Sequence, residues 1–166
     1  VARPEGRTVL EDLVRVSDGI FYNLRGDVPA RLRILYADLA HLNPAIVCCA
    51  LTGYGMTGPK SAQPGFDYMI QGLSGWMSIT GEPDGPPSKT GLSAVDFSTG
   101  FAASLAMMSC IHAARRDGRG CDCDISLLET AMSMLNYLTT WTGSRDFDAV
   151  RVTRSSHPTL VPFGNF

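Results

Sequence analysis

Asp96 stands directly before Phe97-Ser98-Thr99-Gly100 and a long uncharged stretch, the pattern of a carboxylate at the start of a helix of about residues 97 to 116. There it can accept the first free N–H groups as an N-cap, and the same helix end keeps a carboxylate ionised and steadies negative charge nearby. An ionised carboxylate can also attack an activated carbonyl, with backbone N–H groups available for the developing oxyanion. Spacing alone leaves both roles open. A second feature is Gly53-Tyr54-Gly55, where a glycine-rich turn between a strand and a helix lets the backbone approach a pyrophosphate. The turn lacks the Walker pattern and the full dinucleotide fingerprint, and such turns also use glycine for purely steric reasons. Arg25 and Arg31 flank a loop, where guanidinium forks suit phosphates but where solvated arginines are also common.

Other chemistries find less support. His41, His112 and His157 are far apart in the sequence, and no serine or cysteine lies in a nucleophile motif such as Gly-x-Ser-x-Gly. The cysteines are Cys48, Cys49, Cys110, Cys121 and Cys123, an odd number with one adjacent pair, unlike a small disulfide framework; a reducing cytoplasm is expected. In Cys121-Asp122-Cys123-Asp124-Ile125 the strand period puts both cysteines on one face with Ile125 and both aspartates on the other. No second close Cys/His pair completes a zinc set, and no metal is assigned.

The elements that must position these residues follow an α/β rhythm. Leu10, Leu13 and Val14 repeat at helical spacing, and Gly19 precedes the apolar run Ile20-Phe21-Tyr22. A loop-like stretch and a short helix from Tyr36 to Leu42 lead to Asn43-Pro44 and a strand from Ala45 to Leu51, apolar throughout and so covered on both faces. After the glycine turn, helical spacing is expected over 66–79, with Gly72 and Gly75 packing closely on a neighbour. The loop 81–91 delivers the chain to Asp96. Arg115-Arg116-Asp117-Gly118 closes the long helix with cations and a glycine, and a strand over 121–127 and a helix over 128–141 continue the order. The expected fold is α/β, a Rossmann-like layered sheet, with strands near 19–23, 45–51 and 121–127 largely parallel.

The chain has 166 residues, enough for one domain with a real core, and its net charge of −2 gives no strong field for nucleic acid or an anionic membrane. The most apolar segment, Phe101 to Ala114, reads as a buried helix, too short and too rich in Ala and Ser to span a bilayer. The opening Val1 and the ending Pro162-Phe163-Gly164-Asn165-Phe166 have the look of cut ends.

In order and spacing the motifs resemble the family III coenzyme A transferases, which include formyl-CoA transferase, carnitine CoA-transferase and alpha-methylacyl-CoA racemase. The likeness rests on Asn23-Leu24-Arg25-Gly26-Asp27 with Arg31-Leu32, on Asn43-Pro44-Ala45-Ile46-Val47 leading to Thr52-Gly53-Tyr54-Gly55-Met56-Thr57-Gly58-Pro59, and on Pro64-Gly65-Phe66-Asp67. It continues through Gly75, Thr80-Gly81 and Gly85-Pro86-Pro87 to Asp96, then Gly118-Arg119-Gly120, Asp122, Asp124-Ile125-Ser126-Leu127-Leu128-Glu129 and His157-Pro158.

The resemblance implies transfer of CoA from an acyl-CoA to a small carboxylic acid, with Asp96 as the nucleophile that forms a mixed anhydride and then an aspartyl-CoA thioester. It implies a coenzyme A site at Asn23, Leu24, Arg25, Arg31 and Leu32, with Thr52, Gly53 and Tyr54 beside the cofactor. Leu24 stands where an aromatic is usual, and Thr52 where some members carry lysine. It further implies that residues 1–166 are the central part of a longer domain, lacking the N-terminal CoA-binding segment and the C-terminal part, in a chain that forms an interlocked homodimer. Racemases of the family carry a histidine where this chain has Phe66, and a phenyl ring cannot accept a proton, which favours transfer over racemisation. A structural fragment with Asp96 as a cap is the non-catalytic alternative.

Overall fold

The computed structural model describes residues 3–165. In chain order the elements are α1 (Pro4–Val16), β1 (Gly19–Tyr22), α2 (Val28–Leu32), α3 (Tyr36–Leu39), β2 (Val47–Thr52), α4 (Asp67–Leu73), α5 (Trp76–Ile79), α6 (Ala94–Asp117), β3 (Cys121–Ser126), α7 (Leu127–Met134) and α8 (Tyr137–Ser144). Among the described residues the strands form one sheet in the order β1-β2-β3, and both pairings are parallel. The register aligns Gly19 with Val47 and Val47 with Cys121. Helical segments long enough for parallel crossovers separate the strands, so the expected α/β architecture is found. The central strand begins at Val47 rather than Ala45, because the Asn43 side chain takes over locally. Its Oδ1 accepts from Ala45 N at 3.0 Å, while its Nδ2 donates to the Val14 and Ser17 carbonyls.

Every residue of β2 is buried, as its continuous apolar run requires. The period of two sends its side chains into two separate cores. Cys49 and Leu51 meet Ile70, Val95, Ala103, Cys123, Leu127 and Ala131 in the layer built from α4, α6 and α7. Cys48 and Ala50 meet Val14, Tyr22, Ile34 and Leu39 in the layer of α1 and α3. On β3, Cys123 faces the α6 layer, while the carboxylates of Asp122 and Asp124 accept from Tyr36 N and Met56 N, both at 2.8 Å, as the alternation predicts. Helix α6 runs against the strand direction. Arg115 pairs with Asp18 just before β1 at 2.7 Å, and the Cys49 thiol, in mid-strand, lies against the Ala103 carbonyl. The N-terminus of α6 therefore overlies the C-terminal ends of the strands, the edge where open α/β sheets bind ligands.

The helices depart from expectation in several places: α2 forms within the stretch read as loop-like, and α3 ends at Leu39 rather than Leu42. The segment 66–79 is two helices, because Gly75 adopts φ +93° and turns the chain. Nor do its glycines pack tightly: a Cβ on Gly75 meets nothing within 4 Å, and one on Gly72 meets only Met77 Sδ at 3.7 Å. The long helix starts at Ala94 with Ser93 at its N-cap, so Asp96 lies inside its first turn. The segment 128–141 breaks at Asn136, which has φ +50°. Helix α6 is also not buried all round: Phe97, Phe101, Leu105 and Met108 are 65%, 75%, 72% and 65% exposed. They form a stripe opposite Val95, Thr99 and Ala103, and an uncharged sequence hides that distinction because apolar residues occupy both faces. At 24 residues α6 is long and apolar enough, by length and composition alone, to cross a membrane, although one of its faces is built into the sheet.

Candidate active site

The first free N–H groups of α6 are taken by a residue distant in sequence. Asp67, buried at the start of α4, accepts from Val95 N at 2.9 Å and Asp96 N at 3.1 Å through its Oδ2. Its Oδ1 accepts from Gln71 Nε2 at 2.5 Å. Gln71, fully buried, also donates to Thr90 Oγ1 and accepts from Thr90 N at 2.9 Å, which ties in the loop before α6. The helix is thus capped from outside by Asp67, and the expected capping role of Asp96 is not found. The Asp96 carboxylate is exposed, makes no capping hydrogen bond, and occupies the third residue of the helix. Partial burial, and then repulsion from Asp67, hold its carboxyl above the ordinary value. A carboxylate that is free of partners and more basic than usual is suited to nucleophilic attack.

A stack of close backbone contacts joins this helix end to the turn after β2. The Thr52 hydroxyl, buried, accepts from Gly55 N at 2.7 Å and closes the turn. Gly53 lies so close to Gly65 that a Cβ on it would come within 2.6 Å of the Gly65 Cα, and Gly65 leads through Phe66 into Asp67. The carbonyl of Gly53 accepts from Leu128 N at 3.1 Å. Tyr54 is half-buried at the margin of the core, with the Lys60 ammonium 5.7 Å from its ring centre. Gly55 has φ +90°, and its carbonyl lies against Gly26, where a Cβ would clash at 2.2 Å. Glycine is needed here for steric reasons.

Asn23, Leu24 and Arg25 follow β1 at the same sheet edge; Leu24 is half-buried against the α1 core, and Asn23 and Arg25 are exposed. Asp27 draws the two arginines together, accepting from Arg25 at 2.5 and 2.9 Å and from Arg31 at 3.4 Å. Arg25 holds the Asp27 carboxyl below the usual range. Arg31 and Leu32 line an open cleft of about 610 Å³ with Arg7, Glu11, Arg33, Asp38 and His41. Arg7, Arg31 and Arg33 give this cleft three guanidinium groups of the kind that suits an anion, each already paired with Glu11, Asp27 or Asp38. This cleft lies in the α1 layer and Asp96 in the α6 layer; Gly26, between Arg25 and Asp27, packs against Gly55 of the turn after β2. Phe66 stacks on Tyr68 at 6.3 Å and sits one residue from the carboxylate that holds the Asp96 amide. Sequence reasoning missed Asp67, Gln71 and Thr90 as a network; the available signal was a polar pair four residues apart on a helix whose other inward residue is Ile70.

The model of CoA-transferase family III matches residues 1–166. The chain is 40% identical over 140 residues to a succinate–glutarate CoA-transferase of Agrobacterium fabrum, covering 81% of this chain and 35% of that one. It is 33% identical to an acetyl-CoA:oxalate CoA-transferase of Acetobacter aceti, covering 96% of this chain and 41% of the relative. The chain thus spans well under half the length of these curated relatives. Among solved structures, a CAIB/BAIF family protein from Brucella suis superposes with a TM-score of 0.85 at 30% identity, over 98% of this chain and 43% of that one. A hypothetical protein of M. tuberculosis shares the fold with a TM-score of 0.79 at 20% identity, over 87% of this chain and 42% of its own. Since the family match runs the whole length and the parallel sheet superposes on a solved member, the chain belongs to CoA-transferase family III.

Proposed function

We propose that the whole protein carrying this chain transfers coenzyme A from an acyl-CoA to a carboxylic acid, with Asp96 as the covalent nucleophile. The observation that carries this reading is the Asp96 carboxylate itself: exposed, without a capping bond, and set on the first turn of α6 in a chain of this family. Attack by a carboxylate oxygen on the thioester carbonyl breaks the C–S bond, releases the CoA thiolate and leaves a mixed anhydride. The thiolate then attacks the Asp96 acyl carbon and expels the donor acid, giving the aspartyl-CoA thioester. Attack on that thioester by the acceptor carboxylate, and return of the thiolate to the acceptor acyl carbon, gives the new acyl-CoA and restores Asp96. No proton, oxidant or metal enters the balance.

Coenzyme A would lie along the sheet edge, its phosphates toward Arg25, Arg31 and the cleft with Leu32, and its arm past Asn23, Leu24, Thr52, Gly53 and Tyr54. Residues 1–166 act as the central part of a larger domain in a homodimeric chain in the cytoplasm. The dicarboxylates in the relatives' names set the first pairs to try, succinyl-CoA with glutarate and acetyl-CoA with oxalate. Racemisation is disfavoured because Phe66, beside the Asp96 support, offers no second base.

The test is intact-mass analysis of the whole protein after brief incubation with succinyl-CoA. The expected result is a covalent adduct that maps to the peptide containing Asp96 and is absent in Asp96→Asn, whose transfer rate falls by at least 1,000-fold. An Asp96→Asn protein that transfers CoA at near the parent rate removes Asp96 from the mechanism.

A further inference from the structure

We propose that Asp67 is a positioning residue for CoA transfer, fixing the backbone of Asp96 through the Val95 and Asp96 amides, with Gln71 and Thr90 as its own supports. The inference rests on the reading of Asp96 as nucleophile. The geometry carries it. Asp67 comes from α4, 28 residues before Val95, yet one carboxylate oxygen takes two N–H groups of α6 at 2.9 and 3.1 Å. The other oxygen is held by Gln71 at 2.5 Å, and Gln71 is in turn held on both of its amide atoms by Thr90 or Asp67. Asp67 and Gln71 are buried, so this anchor is shielded from competing water. An N-capping serine or aspartate would have served helix stability alone; a separate element holding the amide of residue 96 also sets the direction in which its carboxylate leaves the helix.

A second consequence follows from charge. The elements around Asp96 offer Asp67 on α4, Glu129 on α7, Asp122 and Asp124 on β3, and Glu82, Asp84 and Lys89 in the preceding loop; the thiols of Cys49 and Cys123 lie in the core between α6 and the sheet. Glu129 is engaged by Ser126, Asp124 by Met56 N, and Asp122 by Tyr36 N. Partial burial first, and then the like charge of Asp67, raise the carboxyl of Asp96. Attack requires ionised Asp96, so the acid limb of the pH–rate profile tracks this group. Removing the charge of Asp67 lets Asp96 ionise at lower pH.

The test uses the whole protein with succinyl-CoA as donor and glutarate as acceptor. Asp67→Asn, whose NH2 must face either the helix amides or the donating Nε2 of Gln71 and which loses the charge, is expected to lower kcat at least tenfold with the donor KM within about twofold, and to move the acid limb of kcat/KM to lower pH. Asp67→Glu, which keeps the charge, returns the acid limb toward the parent. A folded Asp67→Asn protein with parent kcat and parent acid limb overturns the proposal. Should that variant not fold, amide exchange in the parent decides the matter. The third amide of a helix ordinarily lacks an intrahelical acceptor and exchanges freely, whereas Asp96 N–H is expected to exchange at least 100-fold more slowly than the unpaired Ser93 amide. Free exchange at Asp96 overturns the proposal. The two readings fail separately: full transfer by Asp96→Asn sinks the nucleophile and leaves the amide protection standing, while full transfer by Asp67→Asn sinks only the positioning role.

Discussion

The carboxyl of Asp96 is raised in the folded protein, by partial burial and then by Asp67, so the native state holds its proton more tightly than the unfolded chain does. The stability contributed by that preference is fully present below the ordinary value of 3.8, and it is lost as pH rises through the raised folded value. An Asn at 96 has no such loss. Thermal melts of Asp96→Asn and parent are therefore expected to coincide near pH 3 and to separate by pH 7, with the variant melting higher while its transfer activity is gone. A variant that melts lower at pH 7 would show that the helix end, which favours a negative charge by about 0.3–1 kcal/mol, outweighs repulsion and burial. A reactive group held at a cost in stability is what a functional role predicts. Asp96 could be singled out from the sequence because the family's motifs bracket it, but its place within the helix could not. The spacing favoured a cap, whereas the group that fills that need, Asp67, is brought in by tertiary folding from another helix, and no local pattern reports such a partner.

At the scale of elements, the two glycines of the segment 66–79 separate what a glycine does for a helix from what it does for a turn. Gly72 lies inside α4 with room for a methyl group, Met77 Sδ being 3.7 Å from an added Cβ. Gly75 has φ +93° and open space around it. Gly72→Ala is expected to stabilise the chain by about 0.5–1 kcal/mol through helix propensity, and Gly75→Ala to destabilise it by about 1–2 kcal/mol through backbone strain alone. Urea midpoints of the two variants check this directly; equal shifts would mean that α4 and α5 form one continuous helix in solution. The strands were the most legible elements, since their apolar runs are bounded by Gly and Pro and the period of two sorted Cys123 from Asp122 and Asp124 correctly. Helix breaks were the least legible. Gly75 and Asn136 interrupt segments whose apolar spacing continues across the break, and only the positive φ values reveal that the chain turns there.

For the molecule as a whole, the stripe of Phe97, Phe101, Leu105 and Met108 on α6 leaves an apolar face on the 166-residue chain, and Phe66 and Tyr68 are exposed as well. The isolated chain is expected to bind a hydrophobic dye and to self-associate. Phe101→Lys with Leu105→Lys should reduce both in fluorescence and light-scattering measurements, with stability within about 0.5 kcal/mol of the parent, as for surface substitutions elsewhere. A large loss of stability would instead show that this face is folded against other parts of the chain. The sheet order has a further consequence, for the chain as it is made. The central strand β2 is buried along its whole length and pairs on one side with β1, already synthesised, and on the other with β3, which follows only after the whole of 53–120. At ~5–20 residues per second that interval is roughly 3–14 s. During it the β3-side edge of β2 is unpaired, and α4 and α6, which cover a face of the sheet, leave that edge open until β3 arrives.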